Sequence, residues 1–191
     1  GREFLRLYPN AKILVCTQKD FKKENRKRLV ARIATNDWDA VIISHSMFSK
    51  IPVSSQIMKQ YIEEEISHID KAISQIGGRY RFSRKVKILE RHRKQLETEL
   101  QELYNAQNKD DVVSFEELGV DRLFVDVADE FKNLGARTKL NRIAGISQHT
   151  SQKAFDLFLK TRYISQLRNG KGGIVFATAT PIANSMVELY T

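Results

Sequence analysis

A run of three apolar residues, Leu123 to Val125, ends abruptly at Asp126 and is followed by mostly polar residues. An uninterrupted apolar run with such borders is typical of a β-strand buried on both faces in a parallel sheet. Open α/β sheets bind their ligands at the carboxyl ends of the strands, which is where Asp126 falls. An aspartate that merely caps the next helix explains the same residue, so the run alone leaves both interpretations open.

Further short apolar runs also end in polar residues, and they lie at residues 12–16, 40–44 and 174–177. The first two flank a predicted helix over residues 21–33, and strand, helix and strand at this spacing predict a βαβ unit. The sequence therefore predicts an α/β fold with a parallel sheet and flanking helices. His45 directly follows the second run, where either a functional group or a hydrogen-bonded structural histidine would fit.

A heptad pattern interrupts the α/β pattern between residues 56 and 108. Its apolar positions are Ile62, Ile66, Ile69, Ile73 and Ile76, and after Gly77-Gly78 they are Phe82, Val86, Leu89, Leu96, Leu100 and Leu103. This spacing predicts an antiparallel α-helical hairpin, inserted between residues 1–55 and 109–191 of the α/β domain. A turn at the glycine pair would place Glu63 to Glu65 opposite Arg91 and Arg93.

The charge balance favours a polyanionic partner, because the formal net charge is +9. Five basic residues near the predicted hairpin tip have no acidic counterweight; they are Arg79, Arg81, Arg84, Lys85 and Lys87. Phosphate contacts and a solvated helix end both remain open for them. The single cysteine, Cys16, predicts a reducing, cytoplasmic setting, and no apolar run approaches the ~18 residues of a membrane span.

Several strand ends resemble helicase motifs. Residues 123–126, followed by Phe131-Lys132-Asn133, resemble the DEAH-type Walker B motif of Swi/Snf-like helicases of superfamily two. Thr178-Ala179-Thr180-Pro181, with Asn184 beyond it, resembles their motif III, and residues 12–20 and 41–46 occupy the places of motifs Ia and Ib. Residues 37–43 and 188–190 are similar to segments of large bacterial helicase-like proteins of plasmids, phages and conjugative elements. Those proteins are often fused to an adenine-specific DNA methyltransferase.

The resemblance implies a RecA-like parallel sheet, that is, part of the first lobe of a P-loop NTPase that moves on DNA. By position, Asp126 would hold Mg²⁺ through water beside ATP in the full-length parent. Thr178 and Thr180 would link the nucleotide site to the DNA track. The implied contacts to the DNA backbone are Thr17, Lys19, Ser44 and Ser46. The implied partners are DNA, expected to be double-stranded, a second RecA-like lobe of the same chain and a fused methyltransferase domain.

Two departures from the family pattern qualify this expectation. The glutamate that polarises the attacking water is replaced by Val127, and Asp129 stands where the family has histidine. No G-x-x-x-x-G-K-[ST] phosphate-binding loop occurs, because Gly170-Lys171 is followed by glycine and then a strand. We therefore expect that loop upstream of Gly1, the second lobe beyond Thr191, and neither ATP hydrolysis nor bound ATP or Mg²⁺ in this chain alone.

Three other interpretations fit parts of the sequence. A catalytically degenerate lobe that serves as a DNA-binding or protein-docking scaffold is the main alternative to a motor lobe, and Val127 and the basic hairpin support it. A subunit of a restriction-type translocase is a further possibility. A pure coiled-coil interaction protein is disfavoured, because it leaves four apolar strands unexplained.

Overall fold

A computed structural model describes residues 1–76, 83–105, 114–131, 134 and 151–180. The chain divides into two compact units, an α/β unit of Gly1–Val53 and Val112–Thr191 and a helical unit of Ser54–Asp111. The Phe115 amide donates a hydrogen bond of 2.8 Å to the Pro52 carbonyl, so the α/β chain before and after the insertion meets at one place.

Short strands alternate with helices in the α/β unit, and two long helices form the helical unit. In chain order the elements are α1 (Arg2–Leu7), β1 (Ile13–Val15), α2 (Lys23–Ala34), β2 (Ala40–Ile42), α3 (His45–Phe48), α4 (Ser55–Gln75), α5 (Arg84–Asn105), β3 (Leu123–Asp126), α6 (Gln152–Leu167) and β4 (Ile174–Ala177). Single 3₁₀ turns cover Glu116–Leu118 and Ala128–Phe131. All four predicted strands form, and β4 has the predicted bounds.

The strands form two parallel pairs. β1 pairs with β2 and β3 pairs with β4, each as a sheet of two strands. The class is therefore mixed α/β with parallel strands, as predicted, although the described strands do not form one continuous sheet. In both pairs the carboxyl ends of the strands share an edge.

Burial of the third strand on both faces was predicted and is wrong. Val125 is buried with Phe131 and Leu157, whereas Phe124 is 72% exposed. The strand alternates because, among the residues that the structure describes, one of its faces packs on a core cluster and the other does not; an apolar run does not specify which neighbours a strand has. The main core of the unit lies elsewhere, around Leu14, Leu29 and Phe115.

The helical unit consists of α4 packed against α5. Their apolar seam includes the buried Ile62, Ile69 and Leu96. The Ser54 hydroxyl accepts a hydrogen bond from the Ile57 amide and so caps the start of α4. The predicted Gly77-Gly78 turn lies outside the described residues.

The pairing of charges across these helices differs from the prediction. Arg93 lies 3.3 Å from Asp70, and the Tyr104 hydroxyl donates a hydrogen bond to Glu63. In a hairpin, paired residues lie at equal distances along the chain from the centre of the turn. For Asp70 and Arg93 that centre falls about four residues after Gly77-Gly78. The predicted meeting of Glu63 to Glu65 with Arg91 and Arg93 is wrong, because the register follows the apolar seam rather than the glycines.

Cys16 is buried, and this makes its thiol unreactive. Desolvation, and secondarily the nearby Asp20 carboxylate, raise the pKa of Cys16 from 9.0 to about 11. At pH 8 we expect the native thiol to react with iodoacetamide about 100-fold more slowly than the urea-unfolded thiol, because only the thiolate attacks. Equal rates in the two states would contradict this assignment.

Candidate functional site

Asp126 is the last residue of β3 and its side chain is exposed at the edge that β3 shares with β4. One carboxylate oxygen, Oδ1, accepts a hydrogen bond of 3.0 Å from the Val127 amide. Val127 itself has φ 55. This left-handed backbone is strained for a β-branched residue and costs about 1–3 kcal/mol, a kind of outlier that concentrates at functional sites.

The next turn brings Asp129 against the end of β4. Its carboxylate accepts hydrogen bonds from the hydroxyls of Thr178, at 2.6 Å, and Thr180, at 3.2 Å. The Thr180 amide also donates to the Thr178 hydroxyl, at 3.1 Å. The segments that resemble motifs II and III are therefore joined directly, through the carboxylate of Asp129, the residue that stands where the resembled family has histidine.

The neighbouring Glu130 joins the same turn to two other elements. Its Oε2 atom lies 3.0 Å from His45 Nδ1 and 2.6 Å from Lys153 Nζ. His45 is the first residue of α3, and Lys153 lies in the first turn of α6. Both also contact Phe131, the His45 ring at 4.8 Å between centroids and the ammonium group at 4.4 Å from the ring centre. His45 therefore makes the hydrogen bond expected of a structural histidine.

The residues predicted to contact DNA lie after β1 and β2. The Thr17 amide and hydroxyl both donate to Asp20, at 2.7 and 2.6 Å, and these bonds lower the pKa of Asp20. A phosphate contact through the Thr17 hydroxyl proton would therefore have to displace Asp20. Ser44 and Ser46 are exposed with their hydroxyls 3.2 Å apart, and Lys19 is exposed.

The basic residues predicted at the hairpin tip are described only in part. Arg84, Lys85 and Lys87 lie on the first two turns of α5 with exposed side chains. Arg79 and Arg81 lie outside the described residues. The exposed cations belong to the helical unit and the strand-end residues to the α/β unit.

The structure therefore brings Asp126, Thr178 and Thr180, three of the residues selected from the sequence, to one sheet edge. It adds three residues: Asp129, which the sequence analysis noted only as a replacement for the family's histidine, and Glu130 and Lys153, which sequence reasoning missed. The sequence offered a signal for Asp129 and Glu130, because carboxylates three and four residues after the end of a strand fall on the next turn. Nothing in the sequence pointed to Lys153, because it follows Glu130 by 23 residues and belongs to another helix.

The Glu130 contacts predict an acid-sensitive stability. Hydrogen bonds from Lys153 and His45 hold the pKa of Glu130 below its ordinary value of 4.5. A depressed pKa in the folded state contributes stability above pH 4.5, and that contribution disappears as the pH falls through the folded value. In urea titrations, the stability gap between the protein and Glu130→Gln should shrink from pH 7 to pH 4. Glu102→Gln is the matched removal of a surface charge, and a gap that widens in acid would contradict the prediction.

The residue at this sheet edge that the resemblance implies as a metal ligand is Asp126. Within the described part of the chain, no cluster of three or more His, Cys, Asp or Glu could hold a metal ion. A magnesium ion held there would take one carboxylate from Asp126 and keep most of its water. No helix in the same part is long and apolar enough to cross a membrane.

Comparison with known proteins identifies a family. A family model described as a probable helicase domain matches residues 1–191, the whole of the chain. No curated protein and no solved structure matches the chain.

Proposed function

The chain belongs to the family of probable helicase domains, and on this premise we propose that it forms part of the first RecA-like lobe of an ATP-dependent DNA helicase or translocase. The proposal is specific to the Swi/Snf-type, DEAH-like branch of superfamily two, including proteins fused to adenine-specific DNA methyltransferases. Its partners would be double-stranded DNA and a second RecA-like lobe, in the cytoplasm. The two parallel strand pairs with flanking helices are compatible with such a lobe.

The observation that carries the proposal is the bonding of Asp129 to Thr178 and Thr180 beside Asp126. A motor must pass a change at the nucleotide to the elements that hold DNA. The Asp129 carboxylate accepts hydrogen bonds from both threonine hydroxyls. Because of these bonds, the turn after β3 and the end of β4 would move together. Bound Mg²⁺ would neutralise charge on the nucleotide phosphates, and Asp126 would help to hold it.

The part of the chain that faces DNA would lie at the ends of β1 and β2. Lys19, Ser44 and Ser46 are exposed there, and hydroxyls and ammonium groups are common donors to phosphate oxygens. Thr17 is also exposed and would join them once its hydroxyl releases Asp20. The basic end of α5 would add charge that does not depend on base sequence. Such contacts position a protein on DNA without reading the sequence.

A second candidate function follows from Val127. A valine can neither accept a proton nor orient water, so the lobe would bind nucleotide and DNA without the usual general base. In the described segment the two nearest other carboxylates are already bonded, Asp129 to threonines and Glu130 to cations. The lobe would then act as a DNA-binding or protein-docking scaffold.

The DNA-binding part of the proposal is tested by the salt dependence of binding. On duplex DNA, the slope of log affinity against log salt changes by about 0.9 for each phosphate that the protein neutralises. Replacing Arg81, Arg84 and Lys85 with glutamine should flatten the slope by about 2.7 if each residue contacts one phosphate. The matched control neutralises three exposed lysines elsewhere, Lys50, Lys71 and Lys171. Equal slopes for the two triple variants would show that the hairpin is not part of the DNA interface.

A further inference from the structure

The 3₁₀ turn Ala128–Phe131 carries two consecutive carboxylates that bond to different elements. Asp129 binds the hydroxyls at the end of β4, while Glu130 binds His45 at the start of α3 and Lys153 in the first turn of α6. The turn directly follows Asp126 and Val127. The turn is therefore hydrogen-bonded to the start of α3, to the residues after β4 and to the start of α6.

The Glu130 contacts are open to water. Both donors share the single oxygen Oε2, and the Glu130 side chain is 51% exposed. His45 and Lys153 are partly exposed, at 26% and 32%. Hydrogen bonds and ion pairs open to water in this way are weak compared with buried ones. The buried Phe131 packs against both donors, so they keep an apolar contact if the carboxylate moves away.

The position of His45 links the Glu130 contacts to the residues proposed to contact DNA. His45 lies between Ser44 and Ser46, the residues proposed to contact the DNA backbone, and Glu130 lies on the turn after the proposed magnesium ligand. A displacement of the Ser44–Ser46 segment moves the imidazole, and the imidazole is bonded to that turn. We infer that Glu130 is a positioning residue which, through His45, couples DNA binding to nucleotide binding. This inference rests on the proposed function.

The test measures coupling rather than activity, in the full-length protein that carries this domain. The affinity for a fluorescent, non-hydrolysable ATP analogue with Mg²⁺ is determined with and without a short DNA duplex. The ratio of the two affinities is the coupling factor, which in allosteric proteins is typically about 5- to 150-fold. Glu130→Gln should bring the factor close to one by removing the effect of DNA, while the affinity for the analogue without DNA and the affinity for DNA without the analogue change little. Removal of a merely structural interaction would instead weaken both affinities and leave the ratio in place.

Two variants of His45 provide a matched pair. His45→Asn keeps an amide nitrogen close to the position of Nδ1 and should preserve the coupling factor. His45→Gln places its amide nitrogen further out and should abolish the factor, as Glu130→Gln does. Glu102→Gln controls for the removal of one exposed carboxylate. This pair also keeps the inference testable if Glu130→Gln fails to fold.

The outcomes separate the inference from the proposed function. If both ligands bind and the factor is unchanged in Glu130→Gln and His45→Gln, the inference is overturned and the proposed function stands. If the unmodified protein binds both ligands without coupling, the inference is overturned and the scaffold is favoured over the motor lobe. If it binds neither ligand, the proposed function fails and the inference fails with it.

Discussion

Replacing Lys160 with alanine should lower the free energy of unfolding by about 3–5 kcal/mol, the range seen when one partner of a buried ion pair is removed. Lys160 is fully buried, and its ammonium group donates to the Phe48 carbonyl at 2.9 Å and to Asp156 at 2.6 Å. It also lies 4.1 Å from the centre of the Phe48 ring. Burial lowers the pKa of Lys160, because removing the charged ammonium group from water costs free energy. The hydrogen bonds of the ammonium group offset that cost. The truncation removes both hydrogen bonds and leaves a cavity.

Two further variants separate packing from charge at this site. Lys160→Met keeps most of the volume and removes only the polar interactions, so we expect a smaller cost of about 1–3 kcal/mol. Lys171→Ala removes an exposed lysine of the same unit and should change stability by less than about 0.5 kcal/mol. Urea unfolding followed by circular dichroism measures all three. A Lys160→Ala protein as stable as Lys171→Ala would show that the buried hydrogen bonds do not form.

Restoring a carboxylate at residue 127 should raise DNA-stimulated ATP hydrolysis by about 10²- to 10⁴-fold in the full-length protein, because it supplies the missing general base. The measurement compares the unmodified protein with Val127→Glu at saturating DNA. Activity only in the restored version would mean that one residue disables a motor lobe. Residue 127 has φ 55, so Val127→Asn, which tolerates this backbone but is not a base, controls for relief of strain.

The remaining outcomes of that experiment discriminate between the two candidate functions. No hydrolysis in either version would favour the scaffold. Robust hydrolysis in the unmodified protein would mean that the catalytic carboxylate has been misassigned. Asp126→Asn should abolish any activity that Val127→Glu restores, since the proposed magnesium ligand would be weakened.

The local pattern predicts the elements well and their surroundings poorly. The bounds of β4 could be predicted because a strand of four apolar residues between glycines and threonines has few other conformations. The exposure of Phe124 could not be predicted, because it depends on which elements cover the sheet. The register of α4 against α5 likewise depends on how Ile62, Ile69 and Leu96 interlock, rather than on the position of a glycine pair.

The candidate site shows the same division. Asp126, Thr178 and Thr180 could be selected because they end apolar strands and fit a known motif order. The Glu130 contact with His45 spans 85 residues and the one with Lys153 spans 23, so neither follows from spacing along the chain. Contacts of this kind depend on the packing of separate elements, which a single sequence does not reveal.

The meeting of Pro52 and Phe115 also bears on the order in which the chain folds. Joining these residues through an unstructured loop of this length would cost about 4 kcal/mol of chain entropy. The contact of Asp70 in α4 with Arg93 in α5 is closer in sequence than the contact of His45 in α3 with Glu130 in the turn after β3, and contacts close in sequence form faster. If the helix pair forms first, it shortens the effective loop, and the two halves of the α/β unit meet after a smaller search. The insertion would then act as an internal folding nucleus, and the turn that holds Asp129 and Glu130 would be among the last parts of the molecule to assemble.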